Sequence, residues 1–301
     1  MKKDLLTLRD ITRDDLDAIF ELSTKLKQER GKVDFKPLTN KSVGLIFAKS
    51  STRTRISFEV GVHELGGQPL YLDQGKMQVG RGETIADTAN VLSRYLHGIV
   101  IRTFEHSEVC ELARVASIPV INALTNDFHP CQLLADLLTI KEYSGKLDSS
   151  IRVAFYGDGR SNMANSLILA AQLTGIELVI SSPDEEAPSK ELIGDSKNII
   201  WEVDPLKAAE GVDYFYTDVW VSMGFEEERE RRMKLFRPYQ VTPALFERAN
   251  KDAKFLHCLP AHRGEEVAAE VMDSPRSIVF DEAENRLHVQ KAVMTMLMGN
   301  K

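Results

Sequence analysis

Ser51-Thr52-Arg53-Thr54-Arg55 gathers three hydroxyls and two guanidiniums into five consecutive residues. The run stands between an apolar strand pattern and a helical one, so its backbone N–H groups open a helix. Free N–H groups, hydroxyls and guanidiniums together cradle an anion, and phosphate is the natural guest. A helix cap flanked by solvated arginines is the plainer reading. The run is not a Walker A loop, because no Gly-Lys-Ser/Thr follows a glycine-rich stretch. A second cluster is Phe128-His129-Pro130-Cys131-Gln132-Leu133-Leu134-Ala135-Asp136, where Pro130 suits a first helical turn and leaves His129 and Gln132 near its start. Arg102 closes the apolar run Ile99-Val100-Ile101, at the strand end where α/β proteins bind ligands; a surface ion pair is its alternative role.

In the second half, Asp218-Val219-Trp220-Val221-Ser222-Met223-Gly224 follows one apolar run and His257-Cys258-Leu259-Pro260 follows another. A carboxylate, a hydroxyl and a backbone amide suit the charged end of an amino acid. The stretch from Phe225 to Arg232, dense in Glu and Arg, reads either as a solvated helix or loop or as a closing lid.

The elements that must position these residues alternate. Thr12-Arg13-Asp14-Asp15 opens a helix as a capping-box variant, with Leu16, Ile19, Phe20 and Leu26 on one face until Gly31. Strands are predicted at Val43–Phe47, Gly98–Arg102 and Ile118–Ile121, and helices at Thr54–Leu65, Thr84–Tyr95 and Pro130–Tyr143. After Ser144-Gly145 the pattern restarts, with strands at Ile151–Tyr156, Glu177–Ser181, Tyr214–Thr217 and Lys254–His257, a helix at Asn162–Leu173 and a terminal helix at Leu287–Met298. The fold class is therefore α/β, with two doubly wound domains, each a parallel sheet flanked by helices, and an active site in the interdomain cleft. The first domain takes residues 1–143, with a C-terminal helix at 286–301 packing back on it; the second takes 144–285.

With 301 residues, two hydrophobic cores are expected. The net charge of −7 and the 7% aromatic content argue against a nucleic-acid surface, so a phosphate-bearing ligand must be drawn by a few local cations. No stretch of 18 apolar residues is present and the N-terminus lacks an apolar targeting region, which predicts a cytoplasmic protein with no membrane partner. Cys110, Cys131 and Cys258 show no CxxC spacing, so neither a disulfide framework nor a zinc site is signalled; Cys110 reads as a small buried side chain.

In this order and spacing, Ser-Thr-Arg-Thr-Arg, His-Pro-Cys-Gln, Asp-x-x-x-Ser-Met-Gly and His-Cys-Leu-Pro resemble the ornithine carbamoyltransferases along essentially the whole chain. The first motif is shared with the aspartate branch, but Ser222-Met223-Gly224 and Cys258 resemble the ornithine branch. The resemblance implies that Ser51, Thr52, Arg53 and Thr54 hold the phosphate of carbamoyl phosphate, with Arg102 reaching phosphate and carbonyl oxygen and His129 polarising that oxygen. It further implies that Gln132 and the backbone carbonyls near Cys258 and Leu259 hold the carbamoyl NH2, and that Arg286 lies at the same site. Gln78 is implied to serve the neighbouring subunit of a homotrimer. For ornithine, Asp218 is implied to receive the α-ammonium, and Asn162, Ser222 and the Met223 amide the α-carboxylate.

The implied chemistry is acyl transfer: an amine attacks the carbamoyl carbon and phosphate leaves. Thr54, Arg102 and His129 would stabilise the oxyanion. Cys258 and the departing phosphate both stand as acceptors of the amine proton, Arg55 either meets phosphate or supports those that do, and no metal or organic cofactor is required. The resemblance leaves open whether the reaction serves arginine biosynthesis or runs in the catabolic direction. Aspartate carbamoyltransferase is the alternative within the family. A nicotinamide-dependent dehydrogenase is the rival outside it, suggested by Gly157-Asp158-Gly159, but the third glycine of that fingerprint would fall on Asn162. A catalytically silent scaffold is disfavoured because every motif position keeps a competent residue.

Overall fold

The computed structural model describes residues 1–48, 51–77, 82–221 and 226–300. The chain divides into two compact units, Met1–Leu138 with Glu284–Lys301, and Thr139–Ala283. In the first unit, helix α1 spans Arg13–Gln28, capped by Thr12, whose side chain accepts from the Asp15 N–H while Asp15 reaches back. Then follow strand β1 (Ser42–Phe47), α2 (Thr52–Glu64), β2 (Gln68–Asp73), α3 (Ile85–Tyr95), β3 (Gly98–Arg102), α4 (His106–Val115), β4 (Val120–Leu124) and α5 (Pro130–Ser144). In the second unit are β5 (Arg152–Tyr156), α6 (Asn162–Thr174), β6 (Glu177–Ser181), α7 (Lys190–Ile193), β7 (Ile199–Glu202), α8 (Pro205–Ala208), β8 (Tyr214–Thr217), α9 (Arg229–Phe236), α10 (Pro243–Phe246), β9 (Lys254–His257) and α11 (Ala269–Met272), and α12 (Val279–Met298) runs to the C-terminus. The dividing points fall inside α5 and α12.

Each unit holds one parallel sheet flanked by helices, in the order β2-β1-β3-β4 in the first and β7-β6-β5-β8-β9 in the second. Winding reverses between β1 and β3 in one unit and between β5 and β8 in the other. At such reversals the loops leaving the two strands part and open a crevice at their carboxyl ends. The central strands are continuous apolar runs because helices cover them; Leu45, Ile99, Val100, Val153 and Phe215 are fully buried. In the first unit Ile46, Ala89, Leu96, Ile99, Ile101, Val109 and Leu112 form a core cluster. A side chain at Gly44 would meet Leu96 at 2.6 Å and one at Gly98 would meet Met298, so both glycines serve close packing.

The structure adds β2, β7, α4 and the short helices α7, α8, α10 and α11 to the elements the sequence announces, and it begins α12 eight residues earlier, at Val279 instead of Leu287. The third strand lies at Val120–Leu124, later than Ile118–Ile121, because Ile99 to Arg102 of β3 select its pairing partners. Cys110 is exposed, contrary to the reading of a buried side chain, while Cys131 is buried. Cys110 lies on α4, which buries Val109, Leu112 and Ala113 instead.

Candidate active site

In the first unit the parallel ladder pairs Phe47 with Arg102, so the last residue of β3 stands level with the end of β1, just before α2 begins. Between Ile101 and Arg102 the pairing with β4 slips by one residue, an irregularity of the kind that re-aims a side chain. Ser51 is the N-cap of α2 but its side chain makes no capping bond; it accepts instead from Arg102 Nη1 at 3.1 Å. The helix N-terminus therefore keeps its N–H groups uncapped by Ser51 and gains a guanidinium beside them, which is the arrangement an anion needs. Arg53 is exposed on the first turn.

Behind this edge lies a buried polar chain. Arg286 donates to Thr54 Oγ1 at 2.9 Å and to Gln132 Oε1 at 2.6 Å, and Gln132 Nε2 donates to Asp136 Oδ1 at 2.8 Å. Arg102 Nη1 also reaches Thr54 Oγ1, at 3.4 Å. Thr54, His129, Gln132, Asp136 and Arg286 are each at most 4% exposed. Burial, then the charges of Arg286 and Arg102, hold the His129 imidazole well below its ordinary range, so it is neutral at pH 7. A neutral imidazole can act on a ligand only by hydrogen bonding, not by full charge. Arg55 points to a supporting role: it bonds Glu59 at 2.9 Å and lies 3.8 Å over the Tyr71 ring.

In the second unit Thr217 pairs with both Tyr156 and His257 across β5, β8 and β9. The residues immediately beyond those pairs, Asp218 and Cys258, are thus brought side by side. Cys258 Sγ donates to Asp218 Oδ1 at 3.1 Å, and the Val219 N–H donates to the same oxygen at 2.7 Å. Burial pushes the Asp218 carboxyl above the ordinary aspartate range, a cost that a cationic ligand would offset. Asn162 begins α6, after Ser161, whose hydroxyl caps the helix by accepting from the Ala164 N–H at 3.1 Å. Arg232 of α9 is buried and bonds the Trp220 carbonyl and Asp158 Oδ2, each at 2.5 Å, and Arg229 and Arg231 pair with Glu265 and Glu185, so the end of the tract read as a solvated segment or lid is tied to the rest of the unit. That ion pair also occupies the Gly157-Asp158-Gly159 turn, and a side chain at Gly159 would meet the Glu186 carbonyl at 2.5 Å, so the turn closes on protein atoms. Gln78, Ser222 and Met223 lie outside the described residues.

Among the described residues two groups could bring metal-binding atoms within 4.8 Å of one another, Asp218-His257-Cys258 and His262-Glu265-Glu266. Some of these ligand atoms already have protein partners. His257 accepts from the Leu259 N–H at Nδ1 and meets Glu266 at Nε2, and Glu265 pairs with Arg229.

Residues 3–142 match the family model described as the aspartate/ornithine carbamoyltransferase carbamoyl-P binding domain, and residues 149–297 match the Asp/Orn binding domain of the same family. The chain belongs to the aspartate/ornithine carbamoyltransferase family. The family's second domain as matched extends through most of α12, whereas the contacts of that helix from Glu284 onward place it with the first unit. The ornithine carbamoyltransferase of Oceanobacillus iheyensis is 52% identical, with 99% of this chain and 95% of that protein aligned, and that of Archaeoglobus fulgidus is 49% identical over 99% and 98%. The solved ornithine carbamoyltransferase of Pyrococcus furiosus superposes with a TM-score of 0.94 at 45% identity, covering 99% of this chain and 97% of that one.

Three carboxylates of this family member were not singled out by sequence reading. Asp136 orients Gln132, Glu266 meets His257, and Glu282 accepts from the His257 N–H at 2.8 Å and from the Tyr216 hydroxyl at 3.2 Å. Only Asp136 carried a signal, its position one helical turn after Gln132.

Proposed function

We propose that this chain is an ornithine carbamoyltransferase, moving the carbamoyl group of carbamoyl phosphate to the side-chain amine of L-ornithine to give L-citrulline and phosphate. The observation that carries the reading is Arg102 bonded at once to Ser51 and Thr54 beside a helix N-terminus that Ser51 leaves uncapped. In this reading Ser51, Thr52, Arg53, Thr54 and Arg102 receive the phosphate, and Arg102, Thr54 and His129 face the carbonyl oxygen, where negative charge develops. One well-placed donor at such an oxygen is worth about 3 to 4 kcal/mol of barrier. Gln132 and the backbone carbonyls of Cys258 and Leu259 accept from the carbamoyl NH2. Arg286 acts from behind, holding Thr54 and Gln132 in place.

Asp218 receives the α-ammonium of ornithine, and Asn162, Ser222 and the Met223 amide receive the α-carboxylate. A half-buried carboxylate that desolvation holds above its ordinary range favours this role, since it gains from a cation and would repel the β-carboxylate of aspartate. The attacking amine must be neutral, although an alkylammonium with a pKa of about 10.4 is charged at pH 7; Cys258, bonded to Asp218, assists its deprotonation. We place the enzyme in the cytoplasm as a homotrimer in which Gln78 completes the neighbouring site, within arginine metabolism. Among the described residues no helix is long and apolar enough to cross a membrane.

The test is a competition: protein given carbamoyl phosphate with equal ornithine and aspartate should release citrulline alone. Carbamoylaspartate as the product would overturn the assignment.

A further inference from the structure

Leu259 has a backbone φ of +58°, a left-handed conformation that side-chain-bearing residues rarely adopt. Its N–H donates to His257 Nδ1 at 2.8 Å. An N–H can only donate, so Nδ1 must hold a lone pair, and the ring proton must sit on Nε2. Nε2 lies 3.2 Å from Glu266 Oε1, an acceptor, which closes the sequence carboxylate, imidazole, backbone N–H. Glu266 and His257 are 0% and 1% exposed, so water does not compete for either bond. The same Oε1 accepts from the His262 N–H, pinning the carboxylate to the loop after Pro260. Hydrogen bonds from His257 and His262 outweigh burial and hold Glu266 below the ordinary carboxylate range, hence ionised.

We propose that Glu266 is a positioning residue: by fixing the Nε2–H tautomer of His257 it holds Leu259 in its left-handed conformation and so aims the Cys258 and Leu259 backbone carbonyls. The aim of those carbonyls matters because, on the functional reading above, they hold the carbamoyl NH2. Glu266 itself touches no substrate. Without its acceptor the Nε2–H is left buried and unpaired, which offsets the preference set by the Leu259 N–H and lets the opposite tautomer, with Nδ1–H set against that N–H, compete.

The test compares Glu266→Gln and Glu266→Leu with the parent protein. Both bonds to the carboxylate use one oxygen, so glutamine placed with its carbonyl there retains them, whereas leucine retains neither. Nitrogen-15 NMR of the histidine ring should show the Nε2–H tautomer in the parent and in Glu266→Gln, and its loss in Glu266→Leu. In steady-state kinetics Glu266→Leu should lose about 10- to 100-fold in kcat, the range seen when an outer hydrogen-bond partner of a site is removed. Glu266→Gln should recover most of that, and inorganic phosphate, held by the first unit alone, should inhibit all three proteins equally. An Nδ1–H tautomer in the parent protein overturns the proposal even if Glu266→Leu does not fold. Full activity in a folded Glu266→Leu, or Glu266→Gln as impaired as Glu266→Leu, overturns it as well. If the parent makes no citrulline, the functional reading fails, while the tautomer measurement still tests the relay.

Discussion

Replacing Thr54 by valine removes one hydroxyl and keeps the shape of the side chain. That hydroxyl accepts from Arg286 at 2.9 Å and from Arg102 at 3.4 Å, so its two lone pairs are taken and its proton is left to be given to another acceptor. Two guanidiniums on the oxygen polarise the O–H bond and make it a stronger donor. If the acceptor is the carbonyl oxygen of carbamoyl phosphate, the bond strengthens as that oxygen becomes an oxyanion. Its loss should cost about 2.7 to 4 kcal/mol, or roughly 100- to 1000-fold in kcat. Stability should fall by a smaller and separable amount: a buried Arg286 N–H loses its acceptor at a cost of about 1.5 to 3 kcal/mol, and the long contact from Arg102 adds little. The assay is citrulline formation at saturating substrates, with thermal unfolding run in parallel. Thr54→Ser keeps the hydroxyl and should stay within about 10-fold of the parent, since the lost methyl makes no bond to the reacting atoms. A folded Thr54→Val enzyme within about fivefold of the parent kcat would refute the oxyanion role.

Asp218→Asn keeps an acceptor for the Val219 N–H but loses the charge; the ornithine KM should rise at least about 30-fold, as for loss of one partner in a buried charge pair, with the carbamoyl phosphate KM little changed. His129 is held neutral by burial and by Arg286 and Arg102, so its folded pKa lies below its unfolded one. Its contribution to stability is full above the unfolded histidine range and fades as pH falls through the folded value, and kcat followed from pH 8 to 6 should show no inflection that His129→Gln removes. Glu64 takes bonds from Lys291 of α12 at 2.6 Å and from Arg30; these outweigh burial and hold its carboxyl below the ordinary glutamate range. The stability it contributes is present above the unfolded glutamate range and lost as pH falls through the folded value. Glu64→Gln, at a partly exposed site, should lower unfolding free energy by about 1 kcal/mol at pH 7, and the difference from the parent should shrink in acid.

Strands buried on both faces were legible because they leave an unbroken apolar run: Gly98–Arg102, Glu177–Ser181, Tyr214–Thr217 and the edge strand Lys254–His257 fall where the sequence places them. Two of the four edge strands were not. Gln68–Asp73 carries Pro69 and is mostly exposed or half-buried, and Ile199–Glu202 buries only its first residue, so neither shows a core pattern. The start of α12 hid behind Asp281, Glu282 and Glu284, charged residues that read as a loop until Glu282 is seen fully buried against His257 and Tyr216. The same physics explains the site. Ser51, Thr54, Arg102, His129 and Asp218 announce themselves by type and by their place after strands. Glu266 and Glu282 do not, and Asp136 does so only by lying one helical turn after Gln132, because a buried carboxylate that positions another group looks in sequence like any solvated one.

A crystal structure with carbamoyl phosphate bound is the most direct test of the anion cradle. The phosphate should lie against the backbone N–H groups that open α2, within hydrogen-bond reach of Ser51, Thr54 and Arg102, with the carbonyl oxygen turned toward His129. Density for the ligand away from that helix N-terminus, with Arg102 still bonded to Ser51 and Thr54, would contradict it.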